Sequence, residues 1–148
     1  MQNQGGIPEA PSVQIMIVED NEMLATLLRH ALEREDYEVV VAQSGTEMMK
    51  LLHASQPDLI VLDVGLPDVD GRDLLSALKK DPRTFHTPVM VWSGRYADSN
   101  RRIALELGAE DFVEKGPPSM LVPKIERVLL RISERELAKA RESLPVKE

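Results

Sequence analysis

Five times along the chain, a short run that is apolar at successive positions gives way to a segment that is apolar only at helical spacing. The short runs occupy 13–18, 38–42, 59–62 and 89–92, with a fifth around Phe112 and Val113. A strand that is apolar on both faces must be covered on both faces, which is the condition of a parallel sheet sandwiched between helices. The intervening segments supply the cover. Met23, Leu24, Leu27, Leu28, Ala31 and Leu32 form one helical stripe, and Met48, Met49, Leu51 and Leu52 form the next, behind Ser44 and Gly45. Leu74, Leu75 and Leu78 follow Gly71. Ile103, Ala104 and Leu107 lie between a cap at Asp98 or Ser99 and a stop at Gly108, and Ile125, Val128, Leu129 and Ile132 make the fifth stripe. Strand and helix in alternation predict an α/β fold with right-handed crossovers, in which ligands bind at the carboxyl ends of the strands.

Composition narrows the chemistry. The chain has 148 residues, enough for one domain with a full core, and that core must be aliphatic because aromatics make up 3%. The methionine pairs on the helices are read as core filler. There is no cysteine, which removes disulfides, thiol catalysis and thiolate metal sites together and suits a cytoplasmic protein. No apolar run reaches membrane-spanning length, and no basic-then-apolar leader opens the chain. A net charge of −7 argues against nucleic acid as a direct ligand.

The strand ends carry the functional signal. Glu19 and Asp20 directly follow the first run, Asp63 follows the third, Ser93 the fourth and Lys115 the fifth. Three carboxylates meeting at one point repel, and a hard divalent cation such as Mg²⁺, which takes oxygen ligands and keeps positions for water and phosphate, resolves the conflict. Lys115 offers a compact positive charge, Ser93 a small hydroxyl, and Asp63 between them a carboxylate nucleophile toward phosphorus. One such carboxylate is more often a helix cap; the whole set at one sheet edge is not. Asp68 and Asp70 are assigned to loop and turn. His30, His53 and His86 fall in different elements without ligand spacing, and Arg101 and Arg102 are expected to face solvent or a partner.

These residues lie in segments that resemble the receiver domains of bacterial two-component response regulators: Val18-Glu19-Asp20-Asn21, Leu62-Asp63 with Leu66-Pro67 and Asp70-Gly71, Trp92-Ser93-Gly94, and Gly108-Ala109 through Phe112 to Lys115. The resemblance covers roughly 13–132. It implies a doubly wound, flavodoxin-like five-stranded parallel sheet of order 2-1-3-4-5 with five helices. It implies that Asp63 is the phosphoacceptor, that Asp20, Asp63 and the Gly65 carbonyl ligate Mg²⁺, and that Glu19 does so through a water. Ser93 and Lys115 would hold the phosphoryl group, and Phe112 would couple the site to the surface of the fourth helix, fifth strand and fifth helix. The donor would be a histidine kinase or phosphotransfer protein. The output would be a downstream protein or an output domain outside this chain. Such a protein is a signalling switch, not an enzyme beyond its own phosphorylation and dephosphorylation.

The chain departs from that pattern after Lys115, where Gly116 stands in place of a proline that often follows a cis bond. A cis bond before glycine costs about 3 kcal/mol, so a trans Lys115–Gly116 bond is expected. Pro123 fits best near a helix start, which moves the expected start of the last helix to about Val122. Phe112 lacks the hydroxyl of the commoner tyrosine. Gly65 and Arg95, each two residues past a motif residue, are expected to influence the lifetime of the phosphate. The expected organisation is a flexible tail over 1–12, a receiver domain over 13–132, and a helical extension or linker stub over 133–148. The stripe beyond Ile132, with Leu137, Ala138 and Ala140, is short for a coiled coil. Competing functions are a phosphorelay intermediate, the receiver of a larger hybrid kinase or multidomain regulator, a phosphate-independent binding module, and a small-molecule phosphohydrolase. The last needs its nucleophile on the first strand, where this chain has adjacent Glu19 and Asp20.

Overall fold

The computed structural model describes residues 12–94 and 98–145. Strands β1 (Gln14–Val18), β2 (Glu38–Ala42), β3 (Leu59–Leu62), β4 (Val89–Ser93) and β5 (Asp111–Glu114) alternate with helices α1 (Glu22–Glu33), α2 (Gly45–Ala54), α3 (Gly71–Lys80), α4 (Asp98–Glu106) and α5 (Pro118–Glu142). The strands form one parallel sheet in the order β2-β1-β3-β4-β5. Both the alternation and the strand order agree with the expectation. The expected tail over 1–12 lies outside the described residues apart from Ser12, and so does Arg95.

The two-residue period of the strands divides the core cleanly. Met16, Val18, Ile60, Leu62, Val89, Val91 and Phe112 point to the side covered by α2, α3 and α4. Ile15, Ile17, Leu59, Val61, Met90, Trp92 and Val113 point to the side covered by α1 and α5. Leu28 and Leu32 of α1 and Ile125 of α5 are fully buried there. Each buried Leu or Ile contributes about 1.5–3 kcal/mol, so truncating one, such as Leu75→Ala in the core on the α3 side of the sheet, costs about 2–5 kcal/mol.

Short polar residues cap the first three helices. Asn21 Oδ1 accepts from Leu24 N at 3.0 Å, Ser44 Oγ from Glu47 N at 3.1 Å, and Asp70 Oδ1 from Arg72 N at 2.9 Å. Asp68 caps α2 from across the molecule, accepting from Gly45 N, Thr46 N and Thr46 Oγ1 at 3.0, 3.0 and 2.8 Å. Those bonds hold its carboxyl below the usual range, the Thr46 backbone N–H foremost. Helix α4 stops at Gly108, whose φ of +107° only glycine adopts freely, with Ala109 N closing back on Ala104 O at 3.0 Å. The expected cap of α4, Asp98 or Ser99, rests on side chains outside the described ones.

Two expectations change. Helix α5 begins at Pro118, not near Val122, and carries Pro123 inside it. Pro118 sits where a helix needs no N–H, and Pro123 lies on the exposed side, where water can satisfy the carbonyl its ring leaves unpaired. Arg101 does not simply face solvent: its Nη1 donates to the Phe112 carbonyl at 3.1 Å and its Nη2 lies 3.8 Å from Asp111 Oδ1. Among the described residues no peptide bond is cis, in keeping with a trans Lys115–Gly116 bond.

Candidate functional site

Strand order 2-1-3-4-5 means that the chain leaves β1 in one direction and returns past it to β3, so a crevice opens above the carboxyl ends of β1 and β3. Backbone pairing runs one residue beyond the strands on both sides of that crevice. Glu19 N donates to Ala42 O at 2.9 Å, and Asp63 N donates to Val18 O at 3.0 Å. Sheet pairing therefore holds these two carboxylates side by side. Asp20 follows on the exposed rim, beside the cap residue Asn21.

Carboxylate oxygens of Glu19, Asp20 and Asp63 lie within 4.8 Å of one another. The Lys115 ammonium reaches into the same space from the end of β5, held by Lys115 N donating to Ser93 O at 2.8 Å. It pairs with Glu19 Oε1 and donates to Asp63 Oδ2 at 3.1 Å. The other oxygens are also engaged: Glu19 Oε2 accepts from Asn21 N at 3.0 Å, and Asp63 Oδ1 from Gly65 N at 2.9 Å. Lys115 Nζ stands 5.4 Å from the centre of the Trp92 ring.

Burial and charge pull against each other here. Glu19 is 1% exposed and Asp63 6%. Burial pushes the Glu19 carboxyl above its ordinary range, and the Asp63 charge adds to this; Lys115 and the Asn21 N–H only partly offset it. Burial alone would lower the Lys115 ammonium, but the bond to Glu19 and the charge of Asp63 outweigh it and hold it above its ordinary value. Three carboxylates against one ammonium leave a formal charge of −2 (3 − 1) in the crevice. At these separations each carboxylate pair repels by about 3 kcal/mol at an effective dielectric near 20. An all-oxygen, net-negative cluster with one exposed member fits a hard divalent cation such as Mg²⁺.

Four of the residues singled out in the sequence thus meet: Glu19, Asp20, Asp63 and Lys115. Ser93 ends β4 on the next strand, 1% exposed, on the sheet face that also carries Val91 and Phe112. Gly65 lies in the loop after Asp63 and reaches it through its N–H. Phe112 is 2% exposed and faces inward, beside a 250 Å³ cavity lined by Val64, Leu66, Asn100 and Ala104 among others. Away from the site, His53 Nδ1 is 2.9 Å from Arg83 Nη1, and the His86 ring lies against Phe85. The cross-chain cap by Asp68 and the Arg101–Phe112 bond escaped sequence reasoning. Each depends on two elements meeting in space and leaves no periodic trace. Among the described residues no helix is long and apolar enough to cross a membrane.

The profile of the response regulator receiver domain family matches residues 15–126. The chain is 36% identical over 121 residues to the alkaline phosphatase synthesis transcriptional regulatory protein PhoP of Bacillus subtilis, covering 82% of this chain and 50% of that protein. It is 38% identical over 119 residues to the transcriptional regulatory protein CpxR of Escherichia coli K12, covering 80% and 50%. The chain therefore spans about half the length of these relatives. Among solved structures, the BeF₃-activated N-terminal receiver domain of Klebsiella pneumoniae RstA superposes with a TM-score of 0.70 at 30% identity, covering 78% of this chain and 97% of that one. The phosphorylated cyanobacterial phytochrome response regulator RcpA superposes with a TM-score of 0.74 at 32% identity, covering 81% and 95%.

Proposed function

The chain belongs to the response regulator receiver family, a class of signalling modules, and on that premise we propose that it is a phosphorylation-dependent switch with Asp63 as its phosphoacceptor. The observation that carries this reading is the meeting of Glu19, Asp20, Asp63 and Lys115 at the crevice over β1 and β3. Two-component signalling implies a histidine kinase as partner. The donor here is a phosphohistidine of such a kinase or of a phosphotransfer protein. An Asp63 carboxylate oxygen attacks phosphorus, the P–N bond breaks as the O–P bond forms, and the imidazole leaves and takes up a proton.

Mg²⁺ would be held by Asp20, Asp63 and the Gly65 carbonyl, with Glu19 acting through a water. When bound it supplies positive charge against the oxygens of the transferring group. The protein's own contribution is positional. Gly65 N–H fixes one Asp63 oxygen, leaving the other to Lys115 and the incoming group. Lys115, already between two carboxylates, transfers its hydrogen bonds to the phosphoryl oxygens. Ser93 adds a hydroxyl from the neighbouring strand. Its movement toward the phosphoryl group, followed by Phe112 on the same sheet face, alters the α4–β5–α5 surface that a downstream protein reads. Arg101, bonded to the Phe112 carbonyl, ties α4 to that change.

The working organisation is a receiver unit over 13–132, followed by an extension or linker stub into which α5 continues as far as Glu142, acting in the cytoplasm. A second reading, that the chain forms the receiver part of a larger regulator, is favoured by one observation: its relatives are about twice as long. A phosphate-independent module or a small-molecule phosphohydrolase has no such support. The reading is tested by incubating the protein with radiolabelled, autophosphorylated histidine kinases. Label should move to the wild type only with Mg²⁺ and not to Asp63→Asn; equal labelling of Asp63→Asn refutes the assignment.

A further inference from the structure

Lysine ends a flexible four-carbon stem in a strongly hydrated ammonium, so its head stays over a site only where something holds it. The backbone of Lys115 is fixed by its N–H on Ser93 O at 2.8 Å. The loop beyond adds no support. Gly116 follows, and even an added Cβ there would meet nothing within 4 Å. The Lys115 side chain is 20% exposed, so water competes for the ammonium. Glu19 and Asp63 hold it in the structure, but these are the bonds it must give up when phosphoryl oxygens take it. One further group faces the ammonium. The ring of Trp92 has its centre 5.4 Å from Lys115 Nζ, within the range of about 6 Å over which an aromatic face attracts a cation. Taking Asp63 as the phosphoacceptor, we propose that Trp92 is a positioning residue for phosphoryl transfer: its indole face keeps the Lys115 ammonium over the crevice while that ammonium exchanges carboxylate oxygens for phosphoryl oxygens.

The chemistry of the ring suits that task. Glu19, Asp20 and Asp63 already outnumber the one ammonium in the crevice. A fourth carboxylate would hold Lys115 but would also repel the incoming phosphoryl oxygens. An indole carries no net charge and attracts the cation through its π face, leaving the N–H groups on Glu19 and Asp63 able to change partners. Tryptophan is the strongest of the aromatic residues in this respect. The ring is also rigidly placed. Trp92 is 1% exposed, pairs with Val113 of β5, and packs in the core on the α1 and α5 side of the sheet. Its orientation is therefore set by folding, and holding the lysine costs it no further freedom. Ser93, the next residue along β4, projects to the opposite face, so adjacent residues of one strand serve the two sides of the same site.

The chain has a single tryptophan, so fluorinated tryptophan incorporated throughout the whole chain alters this ring alone. Fluorine draws electron density from the π face and changes the packing little. The rate of phosphorylation by acetyl phosphate with Mg²⁺ should fall stepwise as ring fluorines are added, with the urea midpoint nearly constant. Trp92→Leu should slow the reaction by about fivefold or more, and Trp92→Phe, which keeps an aromatic face, by about twofold. A second readout needs neither metal nor phosphate. In metal-free protein the Cε protons of Lys115 should be shifted upfield by the ring and show cross-relaxation with it, and both signals should be lost in Trp92→Leu. Rates that ignore fluorination, rates that follow only the unfolding midpoint of each variant, or Lys115 signals that Trp92→Leu leaves unchanged overturn the proposal while the Asp63 reading stands. A wild type that takes no phosphoryl group overturns that reading and this proposal with it.

Discussion

Replacing Gly71 with alanine adds one methyl group, and the structure fixes what that methyl meets. An added Cβ would lie 2.2 Å from Val64 Cα, 2.8 Å from Val64 Cβ and 2.9 Å from Val64 Cγ1. Carbon atoms rest at about 3.5–4.0 Å, so the backbone at Val64 must yield by more than about 1 Å. It cannot do so freely, because Gly71 N donates to Val64 O at 3.1 Å and closes the loop between β3 and α3. Overpacking costs about 1–3 kcal/mol and a weakened backbone bond about 0.5–1.5 kcal/mol. The better helix propensity of alanine returns at most about 1 kcal/mol at this first helical position. A net loss of about 2 kcal/mol follows, which lowers the urea midpoint by about 1 M at an m-value near 2 kcal/mol/M. The same substitution elsewhere is the control. At Gly116 an added Cβ meets nothing within 4 Å, so Gly116→Ala should leave stability unchanged or raise it by up to about 1 kcal/mol. Gly45→Ala, which meets the Val69 Cγ1 methyl at 2.3 Å, should fall between, because a side chain yields more easily than backbone. Val64 adjoins Asp63, so Gly71→Ala should also weaken Mg²⁺ binding read through Trp92 fluorescence. Equal stability of Gly71→Ala and Gly116→Ala would refute the reasoning.

Lys115→Met leaves Glu19 and Asp63 facing each other and should cost about 1–3 kcal/mol in metal-free buffer at pH 7, measured by urea unfolding. In the metal-free wild type the folded-state pKa of Glu19 lies above its ordinary 4.5, burial being the main cause. The penalty for holding it charged is therefore absent below pH 4.5 and grows as pH rises through the folded value, so stability should fall across that window and the slope should flatten with Mg²⁺. Lys115 has its folded pKa above 10.5, so its contribution is complete below that pH and is lost only as pH rises through the folded value. Gly108→Ala forces a side chain into φ +107° with its Cβ 3.2 Å from Lys79 Cγ, and should lower stability by about 1–3 kcal/mol. Arg101→Ala should lower it by about 0.5–1.5 kcal/mol and speed amide exchange along β5, through loss of the bond to the Phe112 carbonyl.

The fold was legible because burial on two faces writes itself into sequence. A run such as Leu59-Ile60-Val61-Leu62 has no solvent side, and the stripe of Leu74, Leu75 and Leu78 has one. The candidate site was legible for a related reason: Glu19, Asp63 and Ser93 each end an apolar run and Lys115 follows one, so strand-by-strand alternation sets all four at the same end of the sheet. What stayed hidden depends on distances between elements. Asp68 reads as a turn residue until α2 is placed beside it, and Arg101 reads as a surface charge until β5 lies within reach of its guanidinium. Pro123 misled because a proline inside a helical pattern reads as a helix start; here it sits in the second turn of α5, where its ring removes one backbone bond and the carbonyl left over, that of Ser119, belongs to an exposed residue.

The central claim is that Asp63 takes the phosphoryl group, and the most direct measurement reads that atom's chemistry. The protein is incubated with acetyl phosphate and Mg²⁺, its intact mass is recorded, and the acyl phosphate is trapped by borohydride before peptide mapping. The expected result is a single Mg²⁺-dependent phosphoryl adduct, with the reduced residue at position 63 and none on Asp63→Asn. An adduct that maps to Asp20, Glu19 or any other residue, or one that persists in Asp63→Asn, contradicts the account.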